Sequence, residues 1–209
     1  MQERTLFSAD NVDAECRRIR IADAELSFYE QAFSVEQSDQ HLQALLANTP
    51  WRHDQITIHG KTMPLPRLQA WYSDVESVLH YSGMRVEPLA WTEALLSIHE
   101  RVWSLTGLRF NGVLANCYRN GNDSVGWHSD NEAEFGTDPI IASVSFGESR
   151  QFDLKHLFKD DVQTIRCQLS HGSLLVMGNG VQKFWKHQLP KRKNITQPRV
   201  NLTFRNIVQ

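Results

Sequence analysis

Cysteine is scarce in this chain, with three in 209 residues. Cys16, Cys117 and Cys167 have neither zinc-ligand spacing nor the even number of a disulfide framework. That excludes a stapled secreted scaffold and points to free thiols in a reducing compartment. Long apolar runs are also missing: none approaches the roughly 18 residues of a membrane span. The first residues carry Glu3, Arg4 and Asp10 where a signal peptide would have an apolar core. A soluble, untargeted, cytoplasmic protein is the expectation, and the sequon Asn194-Ile195-Thr196 then has no glycosylation meaning. Charge of one sign is lacking too, since 22 Lys and Arg face 24 Asp and Glu. This argues against a general phosphate-binding coat. One stretch departs from that balance: Lys183 to Arg199 holds Lys183, Lys186, Lys191, Arg192, Lys193 and Arg199 with no acidic residue, either a local basic patch or a solvated face. Repeats and low-complexity tracts are absent.

What is present is a change of period along the chain. A strand is expected within Glu25 to Phe33. A capping box at Ser34-Val35-Glu36-Gln37, followed by Leu42, Leu45 and Leu46, predicts a helix over about 35 to 48 that Pro50 ends. Ile56 and Ile58 alternate with polar neighbours in a strand from Trp51 to Ile58, and the Gly and prolines of His59 to Arg67 read as a loop before Arg67 to Tyr72 turns extended. Leu95, Ile98, Val102 and Leu105 fall at steps of three, four and three, which draws a helical stripe before the cap at Gly107. Beyond Gly107 the runs become short and β-rich: Gly112 to Tyr118, Ile140 to Phe146, Gln151 to Leu154, Val162 to Leu169, Ser173 to Met177 and Arg199 to Ile207. An α+β protein follows, with a jelly-roll core of about eight strands buttressed by N-terminal helices.

The chemistry concentrates in Gly126-Trp127-His128-Ser129-Asp130-Asn131-Glu132 and in His187. His128 and Asp130 are two positions apart and so share a face of an extended segment. A distant His187 completes two imidazoles and one carboxylate, the facial triad that leaves positions open on Fe(II). Zinc with a bound water is the competing metal. In the late strand, Arg199, Asn201, Thr203 and Arg205 share one face and Val200, Leu202 and Phe204 the other. Two guanidiniums aimed into an apolar barrel call for an acidic ligand unless they pair with Asp or Glu or face solvent. A planar dicarboxylate such as 2-oxoglutarate would satisfy both arginine and metal, with Asn116 and Tyr118 adding hydrogen bonds.

Asn116-Cys117-Tyr118, Asp123 through Glu132, His187 and Pro198 through Arg205, in that order, resemble the AlkB family of Fe(II)/2-oxoglutarate-dependent nucleic-acid dealkylating dioxygenases, and the likeness runs from about Pro66 to Asn206. The resemblance implies a double-stranded β-helix in which His128, Asp130 and His187 are the catalytic iron ligands, and Asn116, Tyr118, Arg199, Asn201, Thr203 and Arg205 bind 2-oxoglutarate. The family pattern assigns Arg205 to the distal carboxylate and places Arg199 nearer the metal. It implies one catalytic domain with an N-terminal extension over about 1–60, a nucleotide-recognition lid over about 61–90 and a core over about 107–209.

The same resemblance implies the substrate: bases alkylated on nitrogen, such as 1-methyladenine and 3-methylcytosine, whose methyl group is oxidised with O2 and leaves as formaldehyde. Such a base must be unpaired or flipped to be reached. Tyr81 and His128 would sandwich it, Glu132 would face its exocyclic amine, and Arg67, Gln69 and Tyr72 would contact the strand, with Trp71 packing. Arg150 matches an arginine of the family's closer members. Members that open duplex DNA carry a bulky wedge before Pro-Arg, whereas this loop offers His59, Lys61 and Met63. The expected partner is therefore damaged nucleic acid, single-stranded DNA first, acted on by a monomer; the compartment would be a bacterial nucleoid or a eukaryotic nucleus as well as cytoplasm. An RNA or tRNA demethylase or hydroxylase with the same centre is the second reading, and a non-catalytic reader of methylated strands the third.

Overall fold

The computed structural model describes residues 14–58, 60–74, 79–81 and 84–208. In chain order the elements are β1 (Cys16–Ile21), β2 (Ala24–Tyr29), α1 (Val35–Asn48), β3 (Gln55–Ile58), β4 (Lys61–Pro64), β5 (Leu68–Ser73), β6 (Leu79–Tyr81), β7 (Met84–Val86), α2 (Glu93–Thr106), β8 (Gly112–Tyr118), β9 (Val125–His128), β10 (Ile141–Gly147), β11 (Arg150–His156), β12 (Ile165–Leu169), β13 (Ser173–Met177), α3 (Val181–Phe184), β14 (Trp185–Leu189) and β15 (Arg199–Arg205). A major sheet has the order β1-β2-β13-β10-β15-β8-β5, and a minor sheet the order β12-β11-β14-β9.

Both predicted helices form where their end signals lie. Ser34 accepts from the Gln37 amide while the Gln37 side chain accepts from the Ser34 amide, and Gly107 ends α2 at φ 72. Leu95, Ile98 and Val102 of α2 are fully buried and pack, with Leu45 of α1, against Val113, Ala115, Val200, Leu202 and Phe204 of the major sheet. The opposite face of that sheet meets the minor sheet around Tyr118, Phe152, Leu154, Leu175, Trp185 and Leu189. The jelly roll is thus two packed sheets with helices on one outer side, and strand alternation alone sends β15's apolar residues to the helices and its polar ones between the sheets.

Three expectations about organisation change. Residues before 60 are not merely an extension, because β1 and β2 prolong the major sheet beside β13. Residues 61–90 are not all lid, because β5 pairs with β8 along its whole length as the sheet's edge strand. The predicted loop from His59 to Arg67 contains β4, which closes a hairpin with β3, and β6 and β7 form a second hairpin; His59 itself lies outside the described residues.

α1 also buries His41 between Phe33 and Phe146. Burial pushes its pKa down to about 4 from an ordinary 6.5. Between those values the unfolded chain binds a proton that the folded chain refuses, so stability is lost as pH falls below about 6.5, by at most about 1.4 kcal/mol per pH unit, and this loss ends near 4. Urea unfolding of the metal-free protein at pH 7 and pH 5 should show the difference, and His41→Leu should remove this histidine's share of it.

Candidate active site

Two neighbouring strands of the minor sheet carry the metal-ligand candidates. His187 of β14 is paired with His128 of β9, and Asp130 follows β9 by two residues. The two imidazole rings lie 4.3 Å apart, with His128 Nε2 3.8 Å and His187 Nε2 3.7 Å from the Asp130 carboxylate. One ligand atom from each of the three residues falls within 4.8 Å of the others. The His128 Nδ1–H donates to the Gly126 carbonyl at 2.8 Å, which leaves Nε2 as the free lone pair. His187 is buried and its pKa is pushed down to about 3, by burial first and then by His128, so at neutral pH it is an uncharged imidazole. Burial alone would raise the Asp130 pKa, but Arg205, His187, His128 and Arg67 together lower it, so the carboxylate is ionised. The donor set fits a divalent metal with open positions.

Asp130 is held from behind by a residue that carries no sequence signal. Gln182, on α3 and buried, accepts the Asp130 amide at 2.9 Å through Oε1, and its Nε2 lies 3.6 Å from Met177 Sδ. Gln182→Leu would leave the Asp130 N–H buried and unpaired, a cost of about 1–3 kcal/mol. Weaker metal binding in a titration of the apo-protein, alongside a lower urea midpoint, is the expected result; unchanged metal affinity would limit Gln182 to folding.

The polar face of β15 points into the same cavity. Arg67, Asn116, Tyr118, Arg199, Asn201, Thr203 and Arg205 line it together with His128, Asp130 and His187. Arg205 is the arginine beside the triad, with Nη1 3.6 Å from Asp130 and its guanidinium over Phe135. Arg199 lies at the other end of the strand, where Nη2 donates to Ser145 Oγ at 2.9 Å and the guanidinium faces the Tyr118 ring. The arginine beside the triad is thus Arg205 and not Arg199, which the family pattern places nearer the metal: alternation fixes the face of a strand, but which end meets the triad depends on how the two sheets are stacked. Burial drives the Arg199 pKa down to about 10, because no carboxylate is among its partners. The Nε atoms of both arginines and Nη1 of Arg205 are buried without a hydrogen-bond partner. These open donors ask for an anion with a carboxylate at each end.

The remaining polar residues are already engaged with one another. Asn201 donates to Ser143 Oγ and the Val144 carbonyl, and accepts from Thr203. Ser143 and Ser145 were not singled out from the sequence, although their alternation with Ala142 and Val144 on β10, the partner of β15, is a readable signal. Arg67 is buried and donates through Nε to Asn116 Oδ1 at 3.0 Å, so it forms part of the cavity wall and not of a surface lid. Gln69 lies beside it, its amide 3.0 Å from the same oxygen.

Tyr72 is not a strand contact. Only 1% exposed, it belongs to the cluster under the helices, on the face of β5 opposite Gln69 and the cavity. Trp71 packs, as expected, with Val86, Leu114, Phe135 and Ile207. The side chain of Tyr81, at the end of β6, lies outside the described residues. Glu132 is half-buried with Oε2 unpartnered, and burial, with Asp130 adding, raises its pKa. Arg150 donates to the carbonyls of Asn120, Asp123 and Pro190, which makes it a clip between two loops.

Comparison with known proteins agrees with this geometry. The family model described as the 2OG-Fe(II) oxygenase superfamily matches residues 25–205. The mouse protein named alpha-ketoglutarate-dependent dioxygenase alkB homolog 3 is 36% identical over 181 residues, 83% of this chain and 63% of its own length. The chain therefore spans less than two thirds of that relative. The mouse DNA oxidative demethylase ALKBH2 is 41% identical over 162 residues, 74% of this chain and 67% of its own. A solved structure of OsALKBH1 shares the fold, with a TM-score of 0.59 over 92% of this chain and all of that one at 13% identity. By sequence match across residues 25–205, and with the triad and the arginine strand assembled in one cavity, the chain belongs to the 2OG-Fe(II) oxygenase superfamily and, within it, to the AlkB family.

Proposed function

We propose that this protein is an Fe(II)/2-oxoglutarate-dependent dioxygenase that removes N-linked methyl groups from damaged nucleic-acid bases. The observation that carries the reading is the pairing, in one cavity, of the His128–Asp130–His187 cluster with two buried arginines whose donors lack anionic partners of matching number. His128, Asp130 and His187 would hold the iron, Arg205 the co-substrate carboxylate at the metal end, and Arg199 the distal carboxylate, with Tyr118 packed against its guanidinium. Asn116, Asn201 and Thr203 shape the wall between them. When bound, iron with 2-oxoglutarate and O2 supplies the oxidising power to hydroxylate an N-methyl group, which then leaves as formaldehyde.

What the chain itself contributes is recognition. Glu132, whose carboxyl is held protonated more readily than an ordinary one, gains most from a cationic neighbour, and methylation at the Watson–Crick edge makes adenine and cytosine cationic. His128 and Tyr81 would offer their rings to the extruded base. Single-stranded substrates are favoured by the hairpin of β3 and β4, whose only exposed large apolar side chain among the described residues is Met63. No helix among the described residues is long and apolar enough to cross a membrane, which suits work on nucleic acid in cytoplasm, nucleoid or nucleus.

The test is product mass spectrometry with iron, 2-oxoglutarate and matched 1-methyladenine and 3-methylcytosine oligonucleotides of DNA and RNA, single- and double-stranded. Unmodified base with stoichiometric succinate is expected, fastest on single-stranded DNA. Faster RNA turnover would transfer the assignment to RNA, and no turnover on any of them would sink it.

A further inference from the structure

Strand alternation gives each metal ligand an outward-facing neighbour. Trp127 precedes His128 on β9, and Lys186 precedes His187 on β14. With the ligands turned inward, both neighbours stand on the outer face of the minor sheet. There Trp127 is 39% exposed, and the Lys186 ammonium lies 5.9 Å from its ring centroid. Lys155 on β11 is the direct cross-strand partner of Lys186. Like charges in directly opposed positions destabilise a sheet, and neither lysine has a carboxylate within ion-pair reach among the described residues. The acid on this face, Asp153, is buried and accepts from the amides of Gln151 and Gln188. A protein of net charge -2 thus sets two unneutralised cations and an exposed indole in one row across β11, β14 and β9.

That row also reaches the way into the site. Of the three ligands, Asp130 and His187 are buried, and only the His128 side chain, on the edge strand β9, is as much as 27% exposed. Trp127, the chain neighbour of His128, stands on the outer side of that same edge strand.

We propose that the outer face of the minor sheet is a second binding site for the nucleic-acid strand, outside the base pocket: a nucleotide next to the one in the pocket stacks on Trp127, and Lys186 and Lys155 take the phosphates beyond it. This rests on the demethylase reading for the pocket, but the row of cations and indole stands independently of it. Stacking on one aromatic and pairing with two phosphates is the combination that single-strand binders use without sequence preference.

The experiment compares the parent protein with Trp127→Ala and with Lys155→Glu/Lys186→Glu, each loaded with iron. On a methylated mononucleotide, which has no neighbouring nucleotide to reach the face, all should turn over alike. On an oligonucleotide of about 15 residues KM should rise about tenfold or more for either variant, and the lysine variant should flatten the slope of log KM against log salt by about 1.4, the share of two phosphates on a single strand. Equal losses on short and long substrates would overturn the proposal, since the residues would then be acting through the ligands beside them; so would unchanged KM on the long one. If the parent turns over nothing, anisotropy with a labelled unmethylated oligonucleotide of the same length decides separately: weakened binding by the variants upholds the face, equal binding refutes it. Variants that lose affinity for phosphatidylserine vesicles but keep the oligonucleotide would assign the face to membranes and overturn the proposal as well.

Discussion

Asp130→Ala should give a protein that binds no iron stoichiometrically, shows no measurable turnover and is less stable even before metal is added. The first two effects follow from ligand count: two imidazoles alone do not make the facial set that holds Fe(II) with open positions. The third follows from Arg205. Its guanidinium is buried and has the Asp130 carboxylate 3.6 Å away as its counter-charge. Removing one partner of a buried pair leaves the other charge uncompensated, which typically costs about 3–5 kcal/mol. Iron analysis after anaerobic reconstitution, and urea unfolding of the apo-protein, read the two effects separately. An apo-protein of unchanged stability would mean that Arg205 is neutralised elsewhere; retained iron would refute the triad.

Arg199→Met should move activity and stability in opposite directions. Co-substrate KM should rise by about two orders of magnitude, because two charge-assisted hydrogen bonds to a carboxylate contribute about 3 kcal/mol or more and each 1.4 kcal/mol is tenfold. The empty protein, by contrast, should be as stable as the parent or more so, by up to about 2 kcal/mol. A guanidinium whose pKa burial has lowered to about 10 is a charge the folded state carries at a loss throughout the neutral range, relieved only as pH nears 10. Arg199→Lys should fall between the two in KM, as a point charge replaces a fork. A KM that does not move would show that the distal carboxylate lies elsewhere; the same shift produced by Arg205→Met alone would return the distal carboxylate to Arg205.

How far the site could be read from the residues depended on what each strand's alternation encodes. β8, β10, β13 and β15 alternate or run apolar against a helix layer, so their hydrophobic pattern marks them. β9 and β14 are not among the β-rich runs expected from the sequence, although His128 and Asp130 read as an extended segment, because their inward residues include His128 and His187 and the outward ones Trp127 and Lys186, which inverts the usual signal. The His128–Asp130 pair and the arginine face were legible since two-residue spacing dictates a shared face, whereas His187, distant in the chain, joined them through the family resemblance. Which arginine meets the metal, and which face of β5 Tyr72 takes, were not, because both depend on how one sheet lies over another. Gln182 was invisible for a different reason: it sits in a four-residue helix too short to have a period.

The edge strand β9 has a further consequence. It is joined to the minor sheet through two register pairs with β14, and the register slips between them. A strand so thinly tied opens readily, yet one of the two pairs is His187 with His128, the ligands themselves. An ion held by His128 and His187 would tie β9 to β14 at that pair, so that metal occupancy and local order of β9 would change together. Amide exchange of residues 125–128 would then serve as a gauge of metal loading, and a chelator would act on this protein as a denaturant of one strand.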